Sequence, residues 1–380
     1  MLEVTLYLLY AVLLGLFGLA AWRLRFASTH FKMKKLLSGA ALLKELPSVT
    51  VCMPARNEDH AMADSLERVI ASTYPKLEII VLDDLSGDKT STLIKSFARD
   101  GVRFVEGKIP PDGWLGKNYA LEGLLHEASG TYVLFMDVDT RLAPDSIEQL
   151  VAYAQQEKAT MVSVLPLRDD APRASIFFAT LRYFWEIMFH RKNSPAIASN
   201  VWMMQRKALL HDFDGFAPLK AAIQPESHIA AALTATGKYR FLLGTELLGV
   251  TYEKKWRSQL STSVRLLFPL LGARIGAAIV AMLDLLIIAS PLFIVLTGFF
   301  IGWGVHQYVA GGFYLLYGGL YALYLRMVWS KGWLVGGLLW PFIVVQEAVL
   351  VMTSAIRYRQ HVVTWKGRRV SATPSSDASL

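Results

Sequence analysis

Two short apolar runs in this chain each end in acidic residues, and they constrain the fold more than any other feature does. Residues 77–82 are followed by Asp83-Asp84, and residues 131–136 are followed by Asp137-Val138-Asp139. Their length and their branched apolar residues are typical of buried parallel strands. In open α/β sheets, ligands bind beyond the carboxyl ends of the strands. The sequence therefore predicts that both acidic motifs lie at one edge of a sheet, where they could bind a nucleotide and a metal ion.

The same pattern continues through the middle of the chain, from about 45 to 260. Further strands are predicted near 48–53 and 102–105, and helices lie between the strands. Strands that alternate with helices indicate a mostly parallel sheet with crossover connections. We therefore predict a Rossmann-like α/β domain over 45–260. Its single cysteine, Cys52, excludes an internal disulfide and is predicted to be a small buried hydrophobic residue.

An apolar stretch precedes this domain. Residues 2–22 contain only Glu3 and Thr5 as polar interruptions, and basic residues follow from Arg23 onward. A secretory signal peptide has its basic residues before the apolar run. We therefore predict a retained transmembrane anchor over 1–24, with its C-terminal end in the cytoplasm.

Three further apolar segments follow the domain, at 275–303, 308–329 and 333–353, and define a transmembrane region over 265–356. Each approaches or exceeds the roughly 20 apolar residues that a bilayer span needs. One anchor plus three spans would place the basic tail, 357–380, outside, against the positive-inside rule. Two solutions keep the tail cytoplasmic. Either one segment lies in the interface, or the longest contains a hairpin near Pro291.

The formal net charge of +8 fits this arrangement. Basic residues beside membrane segments interact with anionic headgroups. Nucleic-acid binding is not expected, because no basic stripe interleaved with aromatic residues occurs in the polar region.

Two other segments have distinctive compositions. The loop 110–116 contains two prolines and two glycines and is followed by Lys117, at the start of a predicted helix, where a lysine is a plausible phosphate ligand. Residues 174–190, with Trp185 near the centre, combine many aromatic residues with basic flanks. This composition is typical of an interfacial helix, and a buried core helix is the alternative.

Four motifs follow one another in a recognisable order. They are Pro54-x-x-Asn57-Glu58, Asp83-Asp84-x-Ser86-x-Asp88-x-Thr90, Gly113-Trp114-x-Gly116-Lys117 and Asp137-x-Asp139. Together they resemble the family 2 glycosyltransferases with the GT-A fold, which use nucleotide-sugar donors. With its flanking apolar segments, the chain is similar to membrane-bound lipid glycosyltransferases of the ceramide glucosyltransferase-like, carotenoid glycosyltransferase and hopanoid-associated groups. The tail Trp365-Lys366-Gly367-Arg368 resembles a motif of the same enzymes.

The resemblance implies a donor site. Pro54 and Glu58 would line the pocket for the base and the ribose. Asp83 and Asp84 would bind the donor, with Asp84 contacting the uracil or the ribose. Lys117 would contact the phosphates.

The resemblance also implies a metal site at the DxD motif. Asp139, together with Asp137, would hold Mg²⁺ or Mn²⁺ on the diphosphate, and Asp137 would also contribute to donor binding. Hard divalent cations prefer carboxylate and phosphate oxygens, and a metal neutralises charge on the leaving group.

The catalytic base of such enzymes is an acidic residue at a helix start, usually in a Glu-Asp pair. The matching stretch, 224–230, keeps only Glu226, with Pro225 in place of the other acid. Proline suits the first helical turn, and Glu226 would then lie at the positive end of the helix. We assign Glu226 as the general base that deprotonates the acceptor, with His228 as an alternative.

The acceptor side is less well marked. Trp185 would open the site toward a lipid, and Asp214 belongs to a segment, 200–216, that is similar to the acceptor-side region of the family. The Gln/Arg-x-x-Arg-Trp motif of many relatives is reduced here to Trp256 and a basic neighbour, which argues against a processive polysaccharide synthase.

The predicted function is an inverting, metal-dependent transferase that moves a sugar from a UDP-sugar to a lipid hydroxyl. The protein would be a multi-pass protein of the plasma or inner membrane, with its catalytic domain on the cytoplasmic face. Transfer to a polyprenyl phosphate is a second enzymatic hypothesis. Two non-enzymatic hypotheses are a membrane transporter or scaffold and a glycosyltransferase fold without catalytic activity.

Overall fold

The computed structural model describes residues 2–32, 46–169, 182–188, 190–191, 194–245, 247–253, 256–329, 331–365 and 368–369. Outside the described residues lie most of the segment predicted as an interfacial helix, the centre of the tail motif (Lys366-Gly367) and residues 371–380.

The described helices and strands alternate through the middle of the chain and are followed by long helices. The helices are α1 (Leu2–His30), α2 (Asp59–Ile70), α3 (Thr90–Ser96), α4 (Gly116–Glu127), α5 (Ser146–Gln156), α6 (Arg182–Met188), α7 (Arg206–His211), α8 (Pro225–Ala235), α9 (Trp256–Leu270), α10 (Ile275–Ile301), α11 (Val305–Val328), α12 (Trp333–Leu338) and α13 (Trp340–Arg359). The strands are β1 (Val49–Ala55), β2 (Leu77–Asp83), β3 (Val102–Glu106), β4 (Tyr132–Met136), β5 (Thr140–Leu142), β6 (Met161–Leu165), β7 (Leu167–Arg168), β8 (Val201–Gln205), β9 (Tyr239–Leu243), β10 (Val250–Tyr252), β11 (Thr364–Trp365) and β12 (Arg368–Arg369).

A seven-stranded sheet with the order β3-β2-β1-β4-β8-β6-β9 forms the centre of the domain. Strands β1 to β4 are mutually parallel, as the sequence predicts. Strand β8 runs antiparallel to both of its neighbours, β4 and β6. The amino end of β8 therefore lies at the same edge as the carboxyl ends of β1, β2 and β4. A smaller sheet with the order β5-β10-β7 continues the structure beyond this edge.

The sheet is covered on both faces, which explains why its strands are continuous apolar runs. Helices α2, α3 and α5 contribute to the core on one face. Helix α4 contributes to the core on the other face, and this second core is continuous with the long helices at both ends of the chain. Cys52 is fully buried there, as predicted, and burial raises the pKa of its thiol.

Glu78 joins β1, β2 and the turn before β4. Its Oε2 accepts hydrogen bonds from Thr50 Oγ1 at 2.5 Å and from Ser129 N and Oγ, both at 2.9 Å. Burial alone would raise the pKa of this carboxyl, but these hydrogen bonds and the nearby Arg103 outweigh burial and hold it below its ordinary value.

Among the described residues, three helices are long and apolar enough to cross a membrane: α1, α10 and α13. The alternative of a hairpin near Pro291 is wrong, because α10 is one helix from Ile275 to Ile301 with Pro291 inside it. The segment predicted at 333–353 is instead divided, since α12 ends at Leu338 and α13 begins at Trp340.

Helix α6 is the described part of the segment predicted to be interfacial. Ile187 and Met188 are buried, while Phe184 and Trp185 are half-buried and pack against the same core as the long helices. This part of the segment is therefore partly covered by protein.

Candidate active site

The donor-site residues predicted from the sequence lie at the edge formed by the carboxyl ends of β1 and β2. Pro54 is in β1, paired with Leu82 of β2, and Glu58 lies between β1 and α2, at the N-cap of α2. Asp84 is buried and its N–H donates to Ala55 O at 2.7 Å, which fixes the chain as it leaves β2. Arg56 donates to Asp84 O and lies 3.8 Å from the Asp84 carboxylate. The sheet therefore brings these predicted donor residues together.

Hydrogen bonds join the loop after β1 to the loop after β2. Asn57 N donates to Ser86 Oγ at 2.9 Å, and Gly87 N donates back to Asn57 Oδ1 at 2.8 Å. Glu58 N donates to Thr90 Oγ1 at 2.8 Å. The hydroxyls and the amide of these motifs thus hold the two loops in fixed positions relative to each other.

Asp88 completes this connection. Its carboxylate accepts hydrogen bonds from Thr90 N at 3.0 Å and Asp59 N at 3.2 Å. Its slight burial would raise the pKa of this carboxyl, but the hydrogen bonds from Thr90 and Asp59 hold it below the ordinary value. Asp88 therefore acts as a structural carboxylate between the two loops.

Asp83, the last residue of β2, has a buried carboxylate at this edge. Its Oδ1 has no hydrogen-bond partner among the described residues. Gly107 packs closely against the backbone of Asp83, and Gly107 N donates to Asp83 O at 2.9 Å. A Cβ at Gly107 would lie 2.5 Å from Asp83 O and 2.9 Å from Asp84 Cα. Only a glycine fits this close approach.

Lys117 lies at the start of α4, as the sequence predicts, and reaches the DxD motif. Its Nζ is 2.7 Å from Asp137 Oδ1, with both side chains partly exposed. The next residue, Asn118, is buried and donates through Nδ2 to Leu219 O at 3.0 Å and Ala222 O at 2.8 Å. This contact fastens the start of α4 to the chain that leads into α8.

Asp137 and Asp139 lie in the turn between β4 and β5. Val138 between them is buried, whereas both aspartates are half-buried. The described residues contain no group of three or more His, Cys, Asp and Glu side chains arranged around a metal site. Two carboxylates suit a hard divalent cation that takes its remaining ligands from phosphate and water. These two carboxylates therefore fit Mg²⁺ or Mn²⁺ bound together with a diphosphate.

Glu226 lies in the first turn of α8, after Pro225, as predicted, and only 3% of it is exposed. Ser199 Oγ donates to Glu226 Oε1, and Gln224 Nε2 donates to Ser199 Oγ at 3.2 Å. Asn200, which follows Ser199 in the chain, accepts a hydrogen bond through its backbone O from Asp137 N at 2.8 Å. Glu226 is thus connected to the DxD turn through two consecutive residues.

Helix α6 links this edge to the long helices. Tyr183 OH donates to Asn200 Oδ1 at 3.1 Å, and its ring lies edge-on to Tyr252 at 5.9 Å. Two residues further on, Trp185 Nε1 donates to Glu347 Oε1 of α13 at 3.1 Å. Trp185 therefore faces the long helices, while Tyr183 faces the site.

The two other residues assigned to the acceptor side are exposed. Asp214 lies in a turn with φ +54° after α7, and Phe216 N in the same turn donates to Glu122 Oε2 of α4 at 2.7 Å. Trp256 begins α9. Their role in acceptor binding remains a prediction.

The sequence assigns no role to Ser199, which donates to Glu226, or to Gln224, which donates to Ser199. It marks Tyr183 only as part of an aromatic segment. The sequence predicts site residues only at the carboxyl ends of parallel strands. Ser199 instead lies before the amino end of β8, which runs antiparallel to its neighbours. An antiparallel strand brings its amino end to the same edge. The polar Ser199-Asn200 pair directly before the apolar residues of β8 is the local signal that the sequence offers.

Comparison with known proteins agrees with this geometry. Residues 50–214 match the family described as glycosyl transferase family 2. The chain is 34% identical over 125 residues to a probable glycosyltransferase YdaM of Bacillus subtilis, covering 32% of this chain and 30% of that protein. It is 32% identical over 123 residues to 4,4'-diaponeurosporenoate glycosyltransferase of Staphylococcus aureus, covering 31% and 32%. Each of these two matches thus spans about a third of the relative's length.

A longer match is to undecaprenyl-phosphate 4-deoxy-4-formamido-L-arabinose transferase of Pectobacterium carotovorum. The chain is 24% identical to it over 229 residues, which cover 56% of this chain and 68% of that protein. The chain is therefore related to lipid-linked sugar transferases.

A solved structure shares the fold along nearly the whole chain. It is a mannosyltransferase of Pyrobaculum calidifontis, in complex with GDP-Man and Mn²⁺, with a TM-score of 0.56 and 18% identity. The comparison covers 94% of this chain and 98% of that protein. At this identity the similarity shows the fold alone, which is the GT-A fold. Residues 50–214 therefore match glycosyl transferase family 2, and the fold is the GT-A fold.

Proposed function

We propose that this protein is an inverting, metal-dependent glycosyltransferase that moves a sugar from a UDP-sugar to the hydroxyl of a membrane lipid. The observation that supports it is the convergence of three carboxylate groups and one lysine at one sheet edge. These are the Asp83-Asp84 pair, Lys117, the DxD turn and Glu226. Helix α6 connects that edge directly to the long helices.

The donor would be bound by the carboxylates beyond β2 and by the Lys117–Asp137 pair. The buried Asp83 Oδ1 is an acceptor suited to an N–H or O–H group of the nucleoside. Asp84, Pro54 and Glu58 complete the proposed nucleoside pocket. Lys117 would exchange its contact with Asp137 for the diphosphate, because a phosphate carries more negative charge than a carboxylate.

The proposed metal ion is Mg²⁺ or Mn²⁺, held by Asp139 and Asp137. When bound, it neutralises charge that develops on the leaving nucleoside diphosphate.

Glu226 would accept the proton from the acceptor hydroxyl. The hydroxyl oxygen forms a bond to the anomeric carbon as the bond from that carbon to the diphosphate breaks, and UDP leaves. A single in-line displacement inverts the configuration at the anomeric carbon. Ser199, which donates to Glu226, would orient the carboxylate for this proton transfer.

The hydrocarbon part of the acceptor has a candidate location next to α6. A cavity of about 100 Å³ lies among five helices, with an almost entirely apolar lining. Each helix contributes to its wall: Leu16 from α1, Trp185 from α6, Leu285 from α10, Tyr317 from α11 and Trp340 from α13. The relatives named for a carotenoid and a polyprenyl phosphate substrate support an apolar acceptor.

The long helices support a membrane location, and the charges at their ends support its sidedness. Arg23 and Arg25 lie near the end of α1 that leads to the catalytic domain, and Arg357 and Arg359 lie at the end of α13. By the positive-inside rule, these ends and the catalytic domain with them would lie in the cytoplasm. We propose a multi-pass protein of the plasma or inner membrane.

Transfer to a polyprenyl phosphate is the second candidate, supported by the undecaprenyl-phosphate relative. A phosphate oxygen is already ionised at neutral pH, so no general base is needed. Glu226→Gln separates the two reactions. A large loss of kcat is expected with a hydroxyl acceptor, whereas little change would support a phosphate acceptor.

The decisive experiment measures UDP release by the full-length protein in detergent, with a panel of UDP-sugars and total membrane lipid. Asp139→Ala is compared with Asp100→Ala, an exposed aspartate in the short turn after α3. Release that requires lipid and Mn²⁺, and is lost in the Asp139 variant alone, supports the proposal. A folded protein that binds UDP but releases none from any donor would contradict it.

A further inference from the structure

Three long helices run from the catalytic domain to a distal end, which we define by Tyr10 of α1 and by the turn between α10 and α11. Leu243 N of β9 donates to Phe31 O, just after α1, at 2.8 Å. At the other end of α1, Tyr10 OH donates to His306 O at 3.2 Å, near the start of α11. Helix α10 ends at the turn 302–304, and α11 begins there.

Helix α11 returns to the catalytic domain. Tyr324 packs edge-on against Phe184 of α6 at 5.2 Å. Beyond its end, Lys331 Nζ lies 2.5 Å from Asp169 Oδ1. Helices α1, α10 and α11 are 29, 27 and 24 residues long, and at about 1.5 Å per residue each exceeds the roughly 30 Å hydrocarbon thickness.

Helix α12 then runs back along α11, away from the catalytic domain. Gly336 lies against Leu325, and Gly337 lies against Ala322, where an added Cβ would be 2.7 Å from Ala322 Cβ. Gly318 of α11 faces Gly337 O and the Trp340 ring. The chain thus reaches the level of Gly318, about 15 Å from the end of α11 at 1.5 Å per residue.

The chain turns at this depth, about half of the roughly 30 Å hydrocarbon thickness. Side chains and backbone of α11 bond to the turn: Tyr314 OH donates to Leu338 O at 2.6 Å, and Trp340 Nε1 donates to Tyr314 O at 3.0 Å. Non-helical backbone inside a bilayer is tolerated where protein groups satisfy it.

Helix α13 leads back to the catalytic end. Ser354 Oγ donates to Val264 O of α9 at 2.5 Å and accepts from Phe268 N at 3.0 Å. Tyr358 OH donates to Arg265 O at 2.6 Å. Since α9 leads from the catalytic domain into α10, these contacts place the end of α13 beside the start of α10.

The exposed surfaces of α12 and α13 are apolar, as expected for helices in contact with lipid. Their exposed apolar residues are Leu334, Val335, Leu338, Phe342, Val349 and Ile356. On α13 the exposed positions recur every seven residues, which defines one face of the helix. The first charged side chain after Lys331 is Glu347, which is buried, and the exposed Arg357 and Arg359 follow only at the end of α13.

We propose that α12 and α13 form a re-entrant helix pair, inserted only into the membrane leaflet next to the catalytic domain. The exposed apolar face contacts the acyl chains of that leaflet. The chain then crosses the membrane three times, through α1, α10 and α11, and residues beyond Arg359 lie on the catalytic side. By length and composition alone, α13 qualifies as a span and α11 does not. The contacts of α11 nevertheless reach from the distal turn to the catalytic end, whereas those of α13 reach only from the level of Gly318 to the catalytic end.

The charges fit this topology. Basic residues at the catalytic end include Arg25, Arg274, Lys331 and Arg359, whereas the distal turn 302–304 contains no Lys or Arg. Both the N-terminal anchor and the basic tail satisfy the positive-inside rule once the pair is re-entrant.

The test is cysteine labelling with a membrane-impermeant maleimide in right-side-out and inverted vesicles. The buried native Cys52 is replaced by alanine to give the background. Single cysteines are introduced at Gln156 on α5, at Val305 at the distal end, at Gln360 after α13 and at Leu338 at the turn. Labelling in denaturant gives the total for each variant.

Gln156→Cys and Gln360→Cys are expected to be labelled from the same side, Val305→Cys from the opposite side, and Leu338→Cys to lose nearly all labelling from both. Labelling of Gln360→Cys from the side of Val305→Cys would show that the segment crosses and would overturn the proposal. Ready labelling of Leu338→Cys from either side would also overturn it. The readout requires no enzymatic activity, so its outcome is independent of the proposed function.

Discussion

Replacing Gly107 with alanine tests how tightly the donor edge is constrained. The added Cβ would lie 2.5 Å from Asp83 O, below the 3.0 Å that real Cβ contacts keep, so the backbones must separate by at least 0.5 Å. The neighbouring atoms are backbone, and Asp84 N is held to Ala55 O, so no rotamer change relieves the contact. We expect a loss of about 1–3 kcal/mol in the free energy of unfolding, the usual cost of overpacking.

The same displacement should weaken donor binding, because binding groups must be held within about 0.5 Å of their productive geometry. Distortion of the site would relieve part of the strain, and UDP binding would have to restore it. If that part is about 1.4 kcal/mol, UDP binds about tenfold more weakly. Denaturant unfolding and calorimetric titration with UDP, on the full-length protein in detergent, measure the two effects.

Gly123→Ala is the matched control. It lies inside α4, and its added Cβ would meet only the tip of the Leu82 side chain at 3.0 Å. Alanine favours a helix interior over glycine by about 1 kcal/mol, so this variant should be as stable as the wild type or more stable. Unchanged stability and UDP affinity in Gly107→Ala would refute the steric reasoning.

Three further predictions concern buried polar contacts. Asn118→Ala leaves buried carbonyls without their donor and should lower the free energy of unfolding by about 1–3 kcal/mol, measured by denaturant unfolding. The lowered pKa of Glu78 means that its stabilisation is present above its unfolded pKa and is lost as the pH falls through the folded one. Glu78→Gln should therefore destabilise the protein at pH 7 and flatten the decline in stability on acidification below about pH 4.5; an unchanged pH profile would contradict this. Trp185→Phe removes a donor from the buried Glu347 and should lower the melting temperature in detergent, whereas Trp22→Phe, at an exposed ring, should not.

Much of the donor side was predictable because its signals are local. A buried strand must be apolar throughout, and its carboxyl end must meet the neighbouring ends in a parallel sheet. Residues 77–82 and 131–136 satisfy the first condition, so the sequence alone predicts Asp83-Asp84 and the DxD turn at one edge of the sheet. The position of Lys117 was predictable from a local signal too. It directly follows a Gly- and Pro-rich loop, and such a loop ends where the next helix, here α4, begins.

The partners of Glu226 were not predictable in this way. Ser199 reaches Glu226 only because β8 is antiparallel, and strand direction depends on the connection through residues 166–200, not on the apolar pattern of β8. The role of Asn118 was hidden for a similar reason. Its carbonyl partners lie about a hundred residues further along the chain.

The membrane segments divide in the same way. Hydropathy reports only whether a segment can leave water, so the sequence by itself predicted apolar segments at 2–22, 275–303, 308–329 and 333–353. Whether a segment crosses or turns back depends on what its ends contact. The contacts of Trp340 with α11 and of Ser354 with α9 supply that information, and they exist only once the helices have packed.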